Sequence, residues 1–237
     1  MLNNYFIFAG ESSLDYGIGI SGSGTYNKPP KRVETQSVPG RNGDLVIEDG
    51  SYENLEYTFP AYIVEDLPVR IDGLAAMLLS AKGYQRIEDT YHPEHFRMGV
   101  YTKGLDIETG TLNAYGRFDI TFNVKPQKFL LSGEHETAFT DNGIITNPTR
   151  FASKPLIRVY GTGVLGINSE SVTITDADEY TDLDCDAEEA YKDSYVNNCN
   201  GNVILSGSNY PRLTAGDNHI SLDGITKVVI IPRWFTL

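Results

Sequence analysis

Val38-Pro39-Gly40-Arg41-Asn42-Gly43-Asp44, running on into Val46-Ile47-Glu48-Asp49-Gly50-Ser51-Tyr52, is the stretch that decides the fold class. Pro39-Gly40 and Asn42-Gly43 are turn dipeptides, and between them they leave Arg41 exposed. A short strand follows, and Asp49-Gly50 reads as the turn that ends it. The segment is thus two extended pieces joined by a loop that needs positive φ, which Gly and Asn adopt at low steric cost. This is scaffold geometry and contains no reaction centre.

Working outward, strand signals dominate the first part of the chain: Tyr5 to Phe8, Gly17 to Ile20, Arg32 to Val38, Leu45 to Glu48 and Leu55 to Val64. One helix interrupts them. From Leu67 to Lys82 the apolar residues Ile71, Leu74, Leu78 and Ala81 recur at spacings of three and four; Pro68 suits a first turn and Gly83 a stop. Tyr84 to Ile87 and Met98 to Tyr101 read as strands on either side of a turn at His92-Pro93-Glu94-His95. The clearest alternation sets Phe118, Ile120, Phe122 and Val124 against Asp119, Thr121, Asn123 and Lys125, and Pro126 is expected to end it. From Pro126 to Pro155 the pattern loosens, which suits an inter-domain crossing with a boundary near Ser132. Beyond Lys154 short strands punctuated by Gly161, Gly163, Gly166, Gly201, Gly207, Gly216 and Gly224 predict a small antiparallel sandwich. The expected fold is mainly β, with domains over 1–132 and 133–237.

A chain of 237 residues can bury a substantial core, as one large domain or two small ones. Its 15 Tyr, 10 Phe and 23 Gly lean the composition toward pleated sheet and turns. Net charge is -13, with 12 basic against 20 acidic residues up to Thr146 and 7 against 12 beyond it, so neither part carries a phosphate-neutralising footprint. Specific nucleic-acid binding is not expected. The start Met1-Leu2-Asn3-Asn4 lacks a positively charged leader and no apolar run approaches the roughly 20 residues that cross a bilayer, so the chain is expected to stay where it is made. Cys185 and Cys199 are too few for a disulfide framework and are read as reduced structural thiols.

Candidate chemistry is sparse. Gly17-Ile18-Gly19-Ile20-Ser21-Gly22 matches the dinucleotide fingerprint in letters, but Ser23-Gly24-Thr25-Tyr26-Asn27-Lys28-Pro29-Pro30 cannot open the helix that the pyrophosphate requires. His92 and His95 invite a zinc reading, yet Pro93 blocks a shared helical face and no third ligand is in view, so a surface turn is expected. The segment from Asp176 through Asp193 holds nine acids, and Asp182-Leu183-Asp184-Cys185-Asp186 partly resembles a calcium loop. Ala187 stands where that loop wants Gly, and Asp193 where a bidentate Glu is usual. Alternation is simpler: Leu183 and Cys185 inward, Asp182, Asp184 and Asp186 toward water. No nucleophile elbow or phosphate loop is present, and catalytic residues, metal ligands and cofactor are all expected to be none.

Taken in order, several short features resemble the siphophage distal tail proteins along nearly the whole chain. They are Asp15-Tyr16-Gly17-Ile18, the loop Val38 to Asp44 with Gly50-Ser51-Tyr52, the single helix, Gly83-Tyr84, and Tyr91-His92-Pro93-Glu94-His95-Phe96-Arg97. Further on come Asn147-Pro148, Lys154-Pro155, Tyr160-Gly161-Thr162-Gly163, Asp184-Cys185, Gly216-Asp217-Asn218 and Pro232-Arg233-Trp234. The resemblance implies an N-terminal β-rich ring-forming domain with one helix and a C-terminal galectin-like β-sandwich. It implies a homo-hexameric hub in the virion tail tip, put together in the host cytoplasm. The major tail tube protein would lie on one side and a tail-tip or tail-associated lysin protein on the other, with receptor-binding proteins at the rim and DNA passing through. Closed rings arise from head-to-tail contacts between identical subunits, for which edge strands and hairpin arms are natural material. Pro39, Gly40, Arg41, Asn42 and Gly43 are the expected subunit contact.

The alternative is a carbohydrate-binding module for host cell-wall adhesion. Galectins resembling this fold carry a His-x-Asn-x-Arg stretch and a sugar-stacking Trp with a Glu soon after. Here His219-Ile220-Ser221 lacks the Asn and Arg, and Trp234 is followed by Phe235-Thr236-Leu237, so Trp234 is read as a packing residue.

Overall fold

The computed structural model describes residues 4–22, 26–109 and 115–237. Met1-Leu2-Asn3 and the Ser23-Gly24-Thr25 piece of the loop after the glycine motif lie outside them. The chain divides into two compact units, Met1–Lys128 with Leu237, and Phe129–Thr236.

The first unit contains β1 (Phe6–Phe8), β2 (Glu11–Ser12), β3 (Ile18–Ile20), β4 (Lys31–Gln36), β5 (Leu45–Tyr52), β6 (Leu55–Ile63), α1 (Leu67–Ser80), β7 (Gln85–Asp89), β8 (His95–Tyr101), β9 (Glu108–Thr109) and the start of β10 (Gly116–Leu130). Its main sheet runs β2-β1-β7-β8-β10-β6-β3, with β9 beside β10. Phe118, Ile120, Phe122 and Val124 fall on the core face as their alternation requires, opposite Ala61, Phe59, Tyr57 and Leu55 of β6. Phe6, Phe59 and Phe122 meet ring to ring there, with Phe6 and Phe59 stacked at 5.1 Å. Helix α1 lays Leu74, Met77 and Leu78 on this core, flanked by the partly buried Ile71 and Ala81. Gly73 lets it come close, since a Cβ there would meet the Tyr16 ring at 2.8 Å.

Two turn signals in this unit mislead. The predicted stop at Pro126 is not one, for β10 continues to Leu130. Its ladder with β6 ends at the Val124–Leu55 pair, so the missing proline N–H removes no bond on that side. Asp49-Gly50 likewise does not end β5. Gly50 at φ 78° and the register shift between Lys31 and Val33 mark a bulge, and the strand resumes to Tyr52.

The second unit is a sandwich of a six-stranded and a five-stranded sheet. The first is ordered β11 (Thr137–Phe139), β21 (Lys227–Ile231), β13 (Leu156–Tyr160), β16 (Tyr180–Asp184), β17 (Glu189–Lys192), β18 (Ser194–Asn198). The second is ordered β12 (Gly143–Asn147), β20 (Gly216–Asp223), β14 (Gly163–Ile167), β15 (Glu170–Ile174), β19 (Val203–Leu205). Ile157, Val159, Leu183, Val228 and Ile230 of one sheet share a core with Leu165, Ile167, Val172, Ile174 and Ile220 of the other. The loose stretch from Pro126 to Pro155, expected as a crossing, in fact holds β11, β12 and a short 3-10 turn at Leu131–Glu134. Asn147 is buried in it, its amide donating to Phe151 O and Leu213 O, which pins an otherwise irregular segment. At the other end, β22 (Phe235–Thr236) follows Trp234, whose carbonyl accepts from the Leu130 amide at 2.9 Å.

Candidate assembly interface

Strands β4 and β5 pair with each other and with no other described strand. Opposed pairs put Val33, Thr35, Val46 and Glu48 on one face of this ribbon, and Glu34, Gln36, Leu45 and Ile47 on the other. Neither face is covered: Val33 is 50%, Val46 54% and Ile47 48% exposed. Leu45-Val46-Ile47 is a run of three aliphatic residues, the pattern of a strand buried on both sides, standing here in solvent. An isolated two-stranded ribbon is marginal in water, and the Lys31–Glu48 ion pair across this one, at 3.2 Å between exposed side chains, adds little.

The tip is built as its sequence requires. The Arg41 amide donates to Val38 O at 3.1 Å, with Pro39 at the second position and Gly40 at φ 83° in the third, a type II turn. Gly43 at φ 79° completes the reversal. Pro39, Gly40, Arg41, Asn42 and Gly43 are brought together at this tip, all exposed.

The base of the ribbon is anchored. Glu53 N donates to Pro30 O, and the Asn27 side chain donates to Glu56 O, each at 3.0 Å. Tyr26 lies edge-on to the His92 ring at 5.1 Å. His92 is not on the surface as expected: it is 8% exposed, its Nδ1 3.1 Å from Tyr57 Oη and 3.2 Å from Asp89 Oδ1. Burial lowers its pKa against the opposing pull of Asp89. Burial, and then the charge of Arg97, also brings Lys128 down to about 8. The turn at His92–His95 does exist, with His95 N donating to His92 O. Among the described residues no cluster of His, Cys, Asp or Glu could hold a metal ion.

The other sequence candidates lie elsewhere. In the glycine motif, Gly17 caps a 3-10 turn at φ 66° against the Arg70 guanidinium, and Ile18–Ile20 is strand β3. The acidic segment departs from the expected solvated face, for Asp182 and Asp184 are only 3% and 4% exposed. Arg158 grips Asp182 with Nε and Nη2 at 2.7 and 2.8 Å, and Arg233 grips Asp184 with Nη1 and Nη2 at 2.7 and 3.1 Å. Each acid is buried because a guanidinium from another part of the chain covers it. Trp234 packs in the sandwich core, and Cys185 and Cys199 are free thiols. No helix among the described residues is long and apolar enough to cross a membrane.

Sequence reasoning read both strands of the ribbon and the turn between them, and missed that neither face of the ribbon is covered. The available signal was Leu45-Val46-Ile47, unbroken by alternation yet bounded by turn residues. The anchor residues Tyr26 and Asn27 carry no sequence signal at all.

No family model and no curated protein matches this sequence. Solved structures do. The chain is similar to the crystal structure of SPP1 Dit, described as a paradigm of the hub adsorption apparatus in phages infecting Gram-positive hosts, with TM-score 0.74 and 15% identity over 96% of this chain and 98% of that one. It is also similar to chains of the phage P2 baseplate in its activated conformation. The calcium form gives TM-score 0.53 at 8% identity and the strontium form 0.51 at 9%, each over 96% of this chain and 97% of the other. A similarity that spans both units, in a chain that is mainly β with one α-helix among the described residues, identifies its fold as that of the phage distal tail hub proteins.

Proposed function

We propose that this protein is a structural hub of a siphophage tail tip. Copies join head to tail into a closed ring, a hexamer by resemblance, that connects the tail tube to the baseplate or tail-tip proteins and leaves a channel for DNA. The observation that carries this reading is the ribbon β4–β5, whose aliphatic side chains stand in water on both faces. Seated on a neighbouring copy, it would bury that surface and satisfy an open strand edge, and a heterologous contact of this kind closes into a ring when its rotation allows. The likeness to hub and baseplate structures supports the same role. The excess of acid over base suits a lumen that DNA traverses without sticking. The work is done by shape and edge complementarity, without a catalytic step.

Light scattering coupled to size exclusion, with negative-stain microscopy of the same fractions, tests the ring. The expected particle is annular, formed by the chain alone or once the tube and tip proteins are added. Arg41→Glu at the tip is expected to lower the assembled fraction while leaving the melting temperature unchanged. Rings that form normally from that variant would remove the tip from the interface, and solitary copies in the presence of both partners would remove the hub.

A further inference from the structure

We infer that Asn42, at the tip of the ribbon β4–β5, is a site of self-modification, where the side-chain amide is lost by ring closure onto the Gly43 nitrogen and a carboxylate takes its place. The reaction needs no partner but water. The Gly43 nitrogen gives its proton to solvent and bonds to Asn42 Cγ; the Cγ–Nδ2 bond breaks, and ammonia leaves with a proton taken back from solvent. Water then opens the five-membered imide at one carbonyl or the other. The product is aspartate, or the isomer whose main chain runs through Cβ and Cγ. Nothing is oxidised or reduced.

The chain holds three Asn-Gly pairs, and the structure separates them. Closure brings Cγ against the next peptide nitrogen, which needs an untethered side chain, a peptide outside any ladder, and space. Asn42 has all three. Neither its side chain nor the Gly43 amide hydrogen-bonds to a described residue, the pair lies between β4 and β5 and in neither, and a Cβ on Gly43 would meet nothing within 4 Å. The other two pairs are tethered. Asn142 Oδ1 accepts from Leu222 N at 2.9 Å, and Gly143 opens β12 opposite Ile220, where a Cβ would meet the Phe139 ring at 2.6 Å. Asn200 Oδ1 accepts from Ala190 N at 2.6 Å and from Tyr210 Oη at 3.4 Å, and Gly201 sits inside a 3-10 turn at Asn200–Asn202. These bonds must break before either ring can close. Asp49-Gly50, on the same ribbon, closes only as the neutral acid, and the Ser51 amide at 2.7 Å holds Asp49 in its ionised form.

The product changes the charge of the tip. From Val38 to Asp44 the charges of Arg41 and Asp44 cancel; a carboxylate at position 42 leaves the segment negative, in a chain already at -13. One consequence rests on the ring reading above: the acid form is expected to assemble less well, since the tip then adds to the repulsion between copies.

Ageing the full-length protein in mildly alkaline buffer, with and without urea, tests the site. Cleavage after glutamate then frees residues 35–48 as one peptide for mass mapping. In the folded protein, acid and isomer are expected to accumulate at position 42 about tenfold faster than at 142 or 200, equivalent to ~1.4 kcal/mol in barrier. In urea the three rates are expected to converge. Asn42→Gln, which has no five-membered closure, is expected to stay unmodified at this position. The site is overturned if Asn142 or Asn200 reacts as fast as Asn42 in the folded protein, or if the same ordering persists in urea. Light scattering of Asn42→Asp against Asn42→Gln reads the consequence separately. A lower assembled fraction is expected for the acid, and equal fractions would overturn the effect on assembly and not the modification.

Discussion

Asp184 shows how one residue can reverse the reading of a segment. Period-two alternation puts it on the outer face, and outer faces of acidic strands ordinarily meet water. Here Arg233, 49 positions along the chain, closes over it, and the Tyr195 hydroxyl and the amides of Asp186 and Ala187 donate to it as well. Burial by itself would raise its pKa. The bonds from Arg233 and Tyr195 outweigh burial and bring it to about 2, against an ordinary 3.8. Since the folded-state value is the lower one, this carboxylate stabilises the fold above the ordinary value and loses that contribution as pH falls from about 4 through about 2. Urea unfolding is expected to show Asp184→Asn less stable than the parent near pH 7, with the gap closing across that window. Arg233→Met strands the buried charge and is expected to cost about 2–3 kcal/mol at neutral pH, discounted from the fully buried case because its side chain is 30% exposed. A sequence read locally has no access to such a partner.

At the scale of elements, alternation and helical period were reliable wherever one face is buried. The row from Phe118 to Val124, the helix face of Leu74 and Leu78, and β13 at Leu156–Tyr160 were all legible, because burial on one side writes a period into the chain. Terminators were less reliable. Pro126 failed because its ladder partner had already ended, and Gly50 because a bulge uses the same positive φ as a turn. The ribbon β4–β5 is the extreme case, for its apolar residues answer to no surface within the described chain. Replacing residues 31–52 by a short Gly-Ser linker is therefore expected to leave the melting temperature of the remaining fold within about 2 °C, a shift below about 0.5 kcal/mol, while light scattering shows assembly lost. A collapse in stability would mean that the ribbon supports its own subunit.

For the whole molecule, the order of strands lay beyond the reach of pattern. β1 pairs with β7 across some eighty residues, and period fixes which face a strand shows but not which strand stands next to it. At 15% identity the structural likeness persists where no family model matches. The net charge of -13 acts at this scale too. Copies brought side by side repel, and at about 0.15 M salt the screening length is ~8 Å. The assembled fraction measured by light scattering is expected to rise as salt is raised from about 0.01 M to that level; a fall would mean that attraction between opposite charges dominates the contact.

The uncovered ribbon also bears on how such a protein is handled before it reaches its neighbours. Arg41 sits in an open turn, a site that trypsin can enter, and on seating it would be shielded. Cleavage after Arg41 would then report the progress of docking without any label. In the proposed assembly, copies left undocked would remain vulnerable there, and degradation would trim the pool toward the number that docks.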